Sequence, residues 1–197
     1  MRRSTGPAGM SGRILDIAER LVQSRGFNAF SYADIAEALK ITKASLHYHF
    51  PSKAKLGERL LERYRESFLA ALQTIDRETS DEREALRRYV RIYDDIIAKD
   101  RMCLCGMLAA DYATLPKLMR DGVRRFFDAN EAWLAALLDR GRTRKRLAFA
   151  GSPQDASRAF TGALEGAMLL ARSYGDPERF RSAAELLLAS FGVKRAR

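Results

Sequence analysis

Residues Thr42 to Phe50 read Thr-Lys-Ala-Ser-Leu-His-Tyr-His-Phe and contain both histidines of a 197-residue chain. Three kinds of chemistry could use such a set: metal ligation, proton transfer to a nucleophile, or binding of a polyanion. Side chains two apart on a helix point about 200° from one another, so His47 and His49 cannot clasp one ion and no metal is expected. Nucleophilic catalysis would place a thiol beside the imidazole, yet Cys103 and Cys105 lie far along the chain, and no glycine loop for phosphates is present. An enzyme is not expected, and no cofactor is called for. Polyanion binding remains. Ala44 and Ser45 are small enough to let a helix N-terminus approach a groove, Lys43 adds charge at that end, and the backbone N–H groups there suit a phosphate.

To present these residues, two short helices must cross firmly. Ser31-x-x-Asp34 reads as a capping box that opens a helix to Leu39, with Tyr32, Ile35, Ala36 and Leu39 as its apolar stripe. A short break at Lys40-Ile41 leads to Thr42, the expected N-cap of a helix running to about Phe50. Ile35, Ala36, Leu39, Ile41, Leu46 and Phe50 then face inward. Thr42, Lys43, Ala44, Ser45, His47, Tyr48 and His49 are left for the outer side. A helix with Ile14, Ile17, Ala18, Leu21 and Val22 on one face precedes the pair. Helix, short turn and helix, packed on a preceding helix, make a helix-turn-helix.

The remaining signals are helical too. Pro51-Ser52 begins a long helix to about residue 76, Thr79-x-x-Glu82 one to near Lys99, and a short apolar one covers about residues 102–113. Pro116 starts a long helix ending at Gly141, with Met119, Val123, Phe126, Phe127, Trp133 and Leu137 inward. Ser152-Pro153 and Asp176-Pro177 open the last two. The expected fold is all-α with about nine helices: a disordered basic tail over residues 1–10, a three-helix head over 11–51 with its motif at 31–50, and a body over 52–197. The net charge of +10 is unevenly placed, +6 over residues 1–65, −2 over 66–140 and +6 over 141–197, as for a polyanion-binding head on a body with another task. A solvated surface would give the same totals. The longest uncharged apolar run, Met102 to Ala110, falls well short of the roughly 20 residues a bilayer requires, so no membrane contact is expected. Two cysteines exclude a disulfide framework, and a cytoplasmic protein is expected.

The stretch Ser31–Phe50, SYADIAEALKITKASLHYHF, followed by PSKAKL, resembles the DNA-binding head of the TetR family of bacterial transcriptional repressors. Ile35, Ala36, Thr42, Lys43, Leu46, Tyr48, His49, Phe50 and Lys53 carry the resemblance, which is specific over about residues 10–65 and architectural beyond them. It implies that Thr42, Lys43, Ala44, Ser45 and His47 reach the major groove and that Tyr48, His49 and Lys53 touch phosphates, with Ser31 counted among the DNA-binding set. Two positions depart from the family pattern. Lys40 stands where the turn usually carries glycine, a left-handed position costing a lysine about 1–2 kcal/mol. His47 replaces the first aromatic of the usual pair.

A lone head reads one half-site, so a dimer is expected. Gly162-x-x-x-Gly166 with Ala159, Ala163 and Ala167 gives a stripe on which helices can approach closely, and Phe180, Leu186, Leu187 and Phe191 offer apolar partners. Packing within one chain would use the same residues. The resemblance favours a homodimer, because the family pairs its last two long helices. Tyr89, Tyr93, Met102, Met107, Tyr112, Met119, Phe126 and Trp133 suit either a ligand pocket or an ordinary core, and the resemblance places a pocket there. Cys103 joins that set, either as a small buried hydrophobe or as a sensor of oxidants or electrophiles at the start of its helix. The basic run Arg142, Arg144, Lys145, Arg146 complements a helix C-terminus. The reading is a repressor that binds a palindromic operator in double-stranded DNA as a homodimer and is released by a small molecule. A helical small-molecule binder and a non-specific architectural DNA binder compete with it.

Overall fold

The computed structural model describes residues 7–193, and the regular elements among them are helices. They are α1 (Pro7–Arg25), α2 (Tyr32–Leu39), α3 (Lys43–His49), α4 (Lys53–Glu78), α5 (Glu82–Ile97), α6 (Leu104–Ala110), α7 (Lys117–Thr143), α8 (Pro153–Tyr174) and α9 (Pro177–Ser190), with a 3-10 turn at Tyr112–Thr114. The caps explain most boundaries. Thr42 accepts from the Ser45 amide, Ser152 from that of Asp155 and Asp176 from that of Glu178, and proline follows the last two caps.

Three boundaries differ from expectation. Residues 1–6 of the tail lie outside the described residues, but residues 7–10 are the first turn of α1, where proline's fixed φ suits the opening position. The cap of α5 is Asp81, not Thr79: its carboxylate accepts from the amides of Arg83 at 2.8 Å and Glu84 at 3.3 Å, while the Thr79 hydroxyl serves only the Asp81 amide. Helix α7 runs two residues past Gly141 to Thr143. Of its expected inward residues, Met119, Val123, Phe126 and Leu137 are buried, whereas Phe127 and Trp133 are half-buried.

The chain forms two compact units. One takes in the chain through Arg65 together with Leu104–Arg124; the other takes in Glu66–Cys103 together with the chain from Arg125 on. The first unit thus takes in more of the chain than residues 11–51. Three short helices enclose little apolar surface, and Leu56, Leu60 and Leu61 of α4 and Leu108 of α6 complete a core with Ile14, Ala18, Val22, Ile35 and Leu46. Gly57 permits this closeness, since a Cβ there would lie 2.5 Å from Met119 Sδ and 2.9 Å from the Phe27 ring. Asp111 braces the turn after α1 by accepting from the Phe27 amide at 2.8 Å, and Thr114 accepts from the Asn28 amide group at 2.8 Å.

The turn between α2 and α3 keeps its left-handed residue despite the lysine. Lys40 has φ 55°, its N–H bonds Glu37 O at 3.1 Å, and the Ile41 N–H bonds Ala36 O at 3.0 Å. This is a Schellman closure, which satisfies the last carbonyls of α2. Lys40→Gly is expected to stabilise the protein by about 1 kcal/mol, read as a higher midpoint in urea. An unchanged or lower midpoint would count against strain at this residue.

The second unit has an aromatic core. Tyr89, Tyr93, Phe126, Phe160 and Phe180 are essentially fully buried. Phe68 meets Phe126 edge-on at 4.9 Å, and Phe160 meets Phe191 at 5.0 Å. Glu82, buried at the start of α5, is paired by Arg144 at 2.7 Å and Arg146 at 3.4 Å, so two residues of the basic run answer a buried carboxylate.

Candidate functional site

Helix α3 is fixed from behind and open in front. Leu46 is fully buried, and the Tyr32 hydroxyl donates to Phe50 O at 2.7 Å, tying α2 to the end of α3. Burial pushes the Tyr32 hydroxyl up to about 12, so it stays a donor. At the other end, the capping box forms as the Ser31–Asp34 spacing requires: Asp34 accepts from the Ser31 amide at 2.7 Å and hydroxyl at 2.8 Å, and Ser31 accepts from the Ala33 amide at 3.2 Å. The Ser31 amide, then its hydroxyl, hold the Asp34 carboxyl below the usual carboxylate range.

On the open side, Thr42, Lys43, Ala44, His47 and Tyr48 are exposed and Ser45 is half-buried. Tyr48 is 82% exposed. His47 Nδ1 donates to Pro51 O at 3.2 Å, with its ring 4.7 Å from that of Tyr32, whereas His49 Nδ1 lies 3.1 Å from the Ser11 hydroxyl of α1. The two imidazoles are thus engaged on different sides. Lys53 donates to Phe30 O and sits over the rings of Phe27, at 4.8 Å, and Phe30, at 4.3 Å. Desolvation lowers its pKa, and the bond spends one of its three N–H groups. Lys53 therefore has a structural task, bracing the turn before α2, that its spacing did not reveal.

The residues singled out as a pocket divide between the units. Met107, Tyr112 and Met119 belong to the first, where Met119 is buried against Gly57 and Tyr112 lies under the guanidinium groups of Arg120 and Arg124. Tyr89, Tyr93, Met102, Cys103, Phe126 and Trp133 belong to the second, and all but Trp133 are buried. There, the Tyr89 and Tyr93 hydroxyls are 3.1 Å apart, Tyr89 reaches the Thr161 hydroxyl at 3.4 Å, and Asn130 Nδ2 donates to the Tyr93 hydroxyl at 3.1 Å. Trp133 stacks on Tyr89 at 5.6 Å and donates to Asp76 at 2.7 Å. Burial pushes the Tyr89 hydroxyl up to about 12 and raises that of Tyr93 as well. Cys103 is buried rather than accessible, and its thiol hydrogen-bonds the carboxyl of Glu165.

Asn130, Thr161 and Glu165 were absent from the sequence reading. A signal for them existed: each is a polar residue on or at the edge of the apolar stripe of an amphipathic helix, Asn130 one turn after Phe126, Thr161 one turn before Leu164 and Glu165 one turn before Met168.

On the outer side of α8, Ala159, Gly162 and Ala163 are exposed, and Gly166 and Ala167 are half-exposed. A Cβ added at Gly162 or Gly166 would meet nothing within 4 Å. Leu170 and Leu186 are 61% and 72% exposed, and Leu187 is half-buried. Phe191 does not join this surface. It packs between Phe149, at 5.5 Å, and Phe160 of its own chain, and Phe180 is likewise inside, because each follows the inward stripe of α9.

A braced, outward-facing second helix on a three-helix frame, carried with a helical body, defines a helix-turn-helix protein. The chain belongs to the tetR family of bacterial regulatory proteins, whose N-terminal domain matches residues 14–60, while a tetracyclin repressor-like C-terminal domain matches residues 82–187. A TetR-family transcriptional regulator from Agrobacterium tumefaciens is 34% identical in sequence and superposes with a TM-score of 0.91 over 94% of this chain and 99% of that one. The HTH-type transcriptional activator FasR of Mycolicibacterium smegmatis is 29% identical over 107 residues, 54% of this chain, which spans about half (49%) of FasR. The HTH-type transcriptional repressor KstR2 of Rhodococcus jostii is 31% identical over 133 residues, 57% of this chain and 64% of that protein. Among the described residues, no helix is long and apolar enough to cross a membrane.

Proposed function

We propose that this chain is a ligand-responsive repressor that binds a palindromic operator as a homodimer and is released by a small molecule acting on the second unit. The observation that carries the reading is the outer face of α3. Thr42, Lys43, Ala44, His47 and Tyr48 face solvent on a helix that Leu46, Tyr32 and Phe50 hold rigid, so they can enter a major groove without rearranging. His49 is held by Ser11, and Lys53 keeps N–H groups beyond its bond to Phe30 O, which supports their assignment, with Ser31, to the phosphate-facing rim. The small-residue stripe of α8 with Leu187 and Leu186 supports a second copy bound there, which would present two heads to two half-sites. Carrying the operator-competent fraction from 99% to 1% asks the effector to discriminate between the two states by about 5.5 kcal/mol.

The test is binding of the full chain to DNA from its own upstream region and to scrambled DNA over a salt series. A preference of about a thousandfold or more at physiological salt is expected. Lys43→Ala should weaken binding across sequences and lower the salt slope by about 1, and Tyr48→Ala should weaken it without touching the fold. Equal, salt-steep binding of both DNAs would replace this reading with an architectural one.

A further inference from the structure

The second unit encloses polar atoms that its own side chains do not satisfy. Glu165 of α8 keeps part of its stem exposed, but its carboxyl is enclosed, and Oε1 has no hydrogen-bond partner among the described residues. Asn130 of α7 is fully buried; it spends Nδ2 on the Tyr93 hydroxyl and leaves Oδ1 without a partner. An enclosed acceptor with no donor costs stability, and an enclosed carboxyl costs more. Burial acts on the Glu165 carboxyl and the Cys103 thiol bonds it, but no cation of the described residues is among the groups that hold it. Asn130 bonds the Tyr93 hydroxyl and the Glu165 carboxyl acts on both tyrosine hydroxyls through its charge, which sets the two acceptors beside the cluster of Tyr89, Tyr93 and Thr161, with the stacked Trp133 and the Phe160 ring around it. A cleft of about 250 Å³ lies in the same unit and has in its wall Ile97, one turn past Tyr93, and Met102, the neighbour of Cys103.

The chemistry of this set is one-sided. The atoms left unsatisfied are acceptor oxygens set among aromatic faces, and both favour a cation with N–H donors. An anion would be set against the Glu165 carboxyl, and a purely apolar molecule would leave Oε1 and Oδ1 as they are. We propose that the effector is an organic cation, a protonated amine on an apolar body, whose N–H groups bond Glu165 Oε1 and Asn130 Oδ1 while the body lies against Tyr89, Tyr93 and Trp133. The proposal rests on the ligand-responsive reading above and names the ligand class for it.

The experiment takes the full chain on its operator and a panel of primary and secondary amines with aryl or alkyl bodies, each matched by the alcohol and the carboxylate of the same carbon skeleton. The readouts are operator affinity and thermal midpoint, each taken relative to the same variant without compound. Amines are expected to weaken operator binding by about tenfold or more and to raise the midpoint, while their matched carboxylates do neither. In Glu165→Gln the amine response should fall by about tenfold or more, and Glu165→Asp, which keeps a carboxyl for the amine to pair with, should retain part of it. Carboxylates acting as well as amines, or amines acting equally on Glu165→Gln, would overturn the cation assignment and leave ligand control standing. A panel in which no compound of any class moves operator binding or midpoint would overturn ligand control itself, and this inference with it.

Discussion

Gly162→Arg with Gly166→Arg is expected to leave the chain folded, convert it to a monomer and lower operator affinity by about a thousandfold or more. The reason lies in what surrounds the two glycines. Neither has a positive φ, and a Cβ at either would meet nothing within 4 Å, so nothing inside one chain asks for glycine there. Glycine inside a helix costs about 1 kcal/mol relative to alanine, and two of them on one exposed face of α8 make sense where another backbone approaches. The alanine pair sharpens the test by giving opposite signs. Gly162→Ala with Gly166→Ala should stabilise the protomer by about 1–2 kcal/mol in urea while weakening self-association, seen by sedimentation equilibrium. An arginine pair that still sediments as a dimer, or that still binds the operator as tightly as wild type, would remove α8 from the interface.

The second large effect concerns Glu165. Burial drives its carboxyl from an ordinary 4.5 up to about 7, while the bond from the Cys103 thiol works in the opposite direction. The folded state therefore holds a proton that the unfolded chain releases earlier. Below about pH 4.5 both states are protonated and the residue costs little as a charge. As pH rises from there through about 7, the unfolded chain loses the proton first and the fold is progressively destabilised. The shift corresponds to about 3 kcal/mol by pH 8. Glu165→Gln removes that slope. Denaturant unfolding of the two proteins between pH 4 and pH 8 should give similar stabilities at the acid end, and an advantage of about 2–3 kcal/mol for the glutamine protein at the alkaline end. The other carboxylates are common to both and cancel in the difference. Two stability curves that run parallel across this range would show that the carboxyl is not held protonated by the fold.

The elements were legible because their signals are local. Ser31 with Asp34, Thr42, Ser152-Pro153 and Asp176-Pro177 each satisfy the orphan amides of the turn that follows, and no distant residue has to agree. The outer face of α3 was legible for a similar reason. Once Leu46 must be inward, helical geometry sends Ala44 and Tyr48, two residues to either side of it, outward. The competition at residues 79–82 was not legible, since Thr79 and Asp81 are both good caps and only the path of the chain shows which one faces the amides.

The sequence by itself determined the all-helical fold, the helix-turn-helix and the residues it presents, because periodicity and capping act over a few residues. Only the tertiary structure decided which adaptable apolar side chains stand together. Met107, Tyr112 and Met119 went to one unit, and Tyr89, Tyr93 and Phe126 to the other. It also turned Phe191 inward, occupied Lys53 with Phe30 O, and brought Asn130, Thr161, Glu165 and Cys103 from distant stretches into one enclosed cluster. Those outcomes depend on which helix faces pack, and packing is set by the shapes of all the helices at once rather than by the spacing within any one of them.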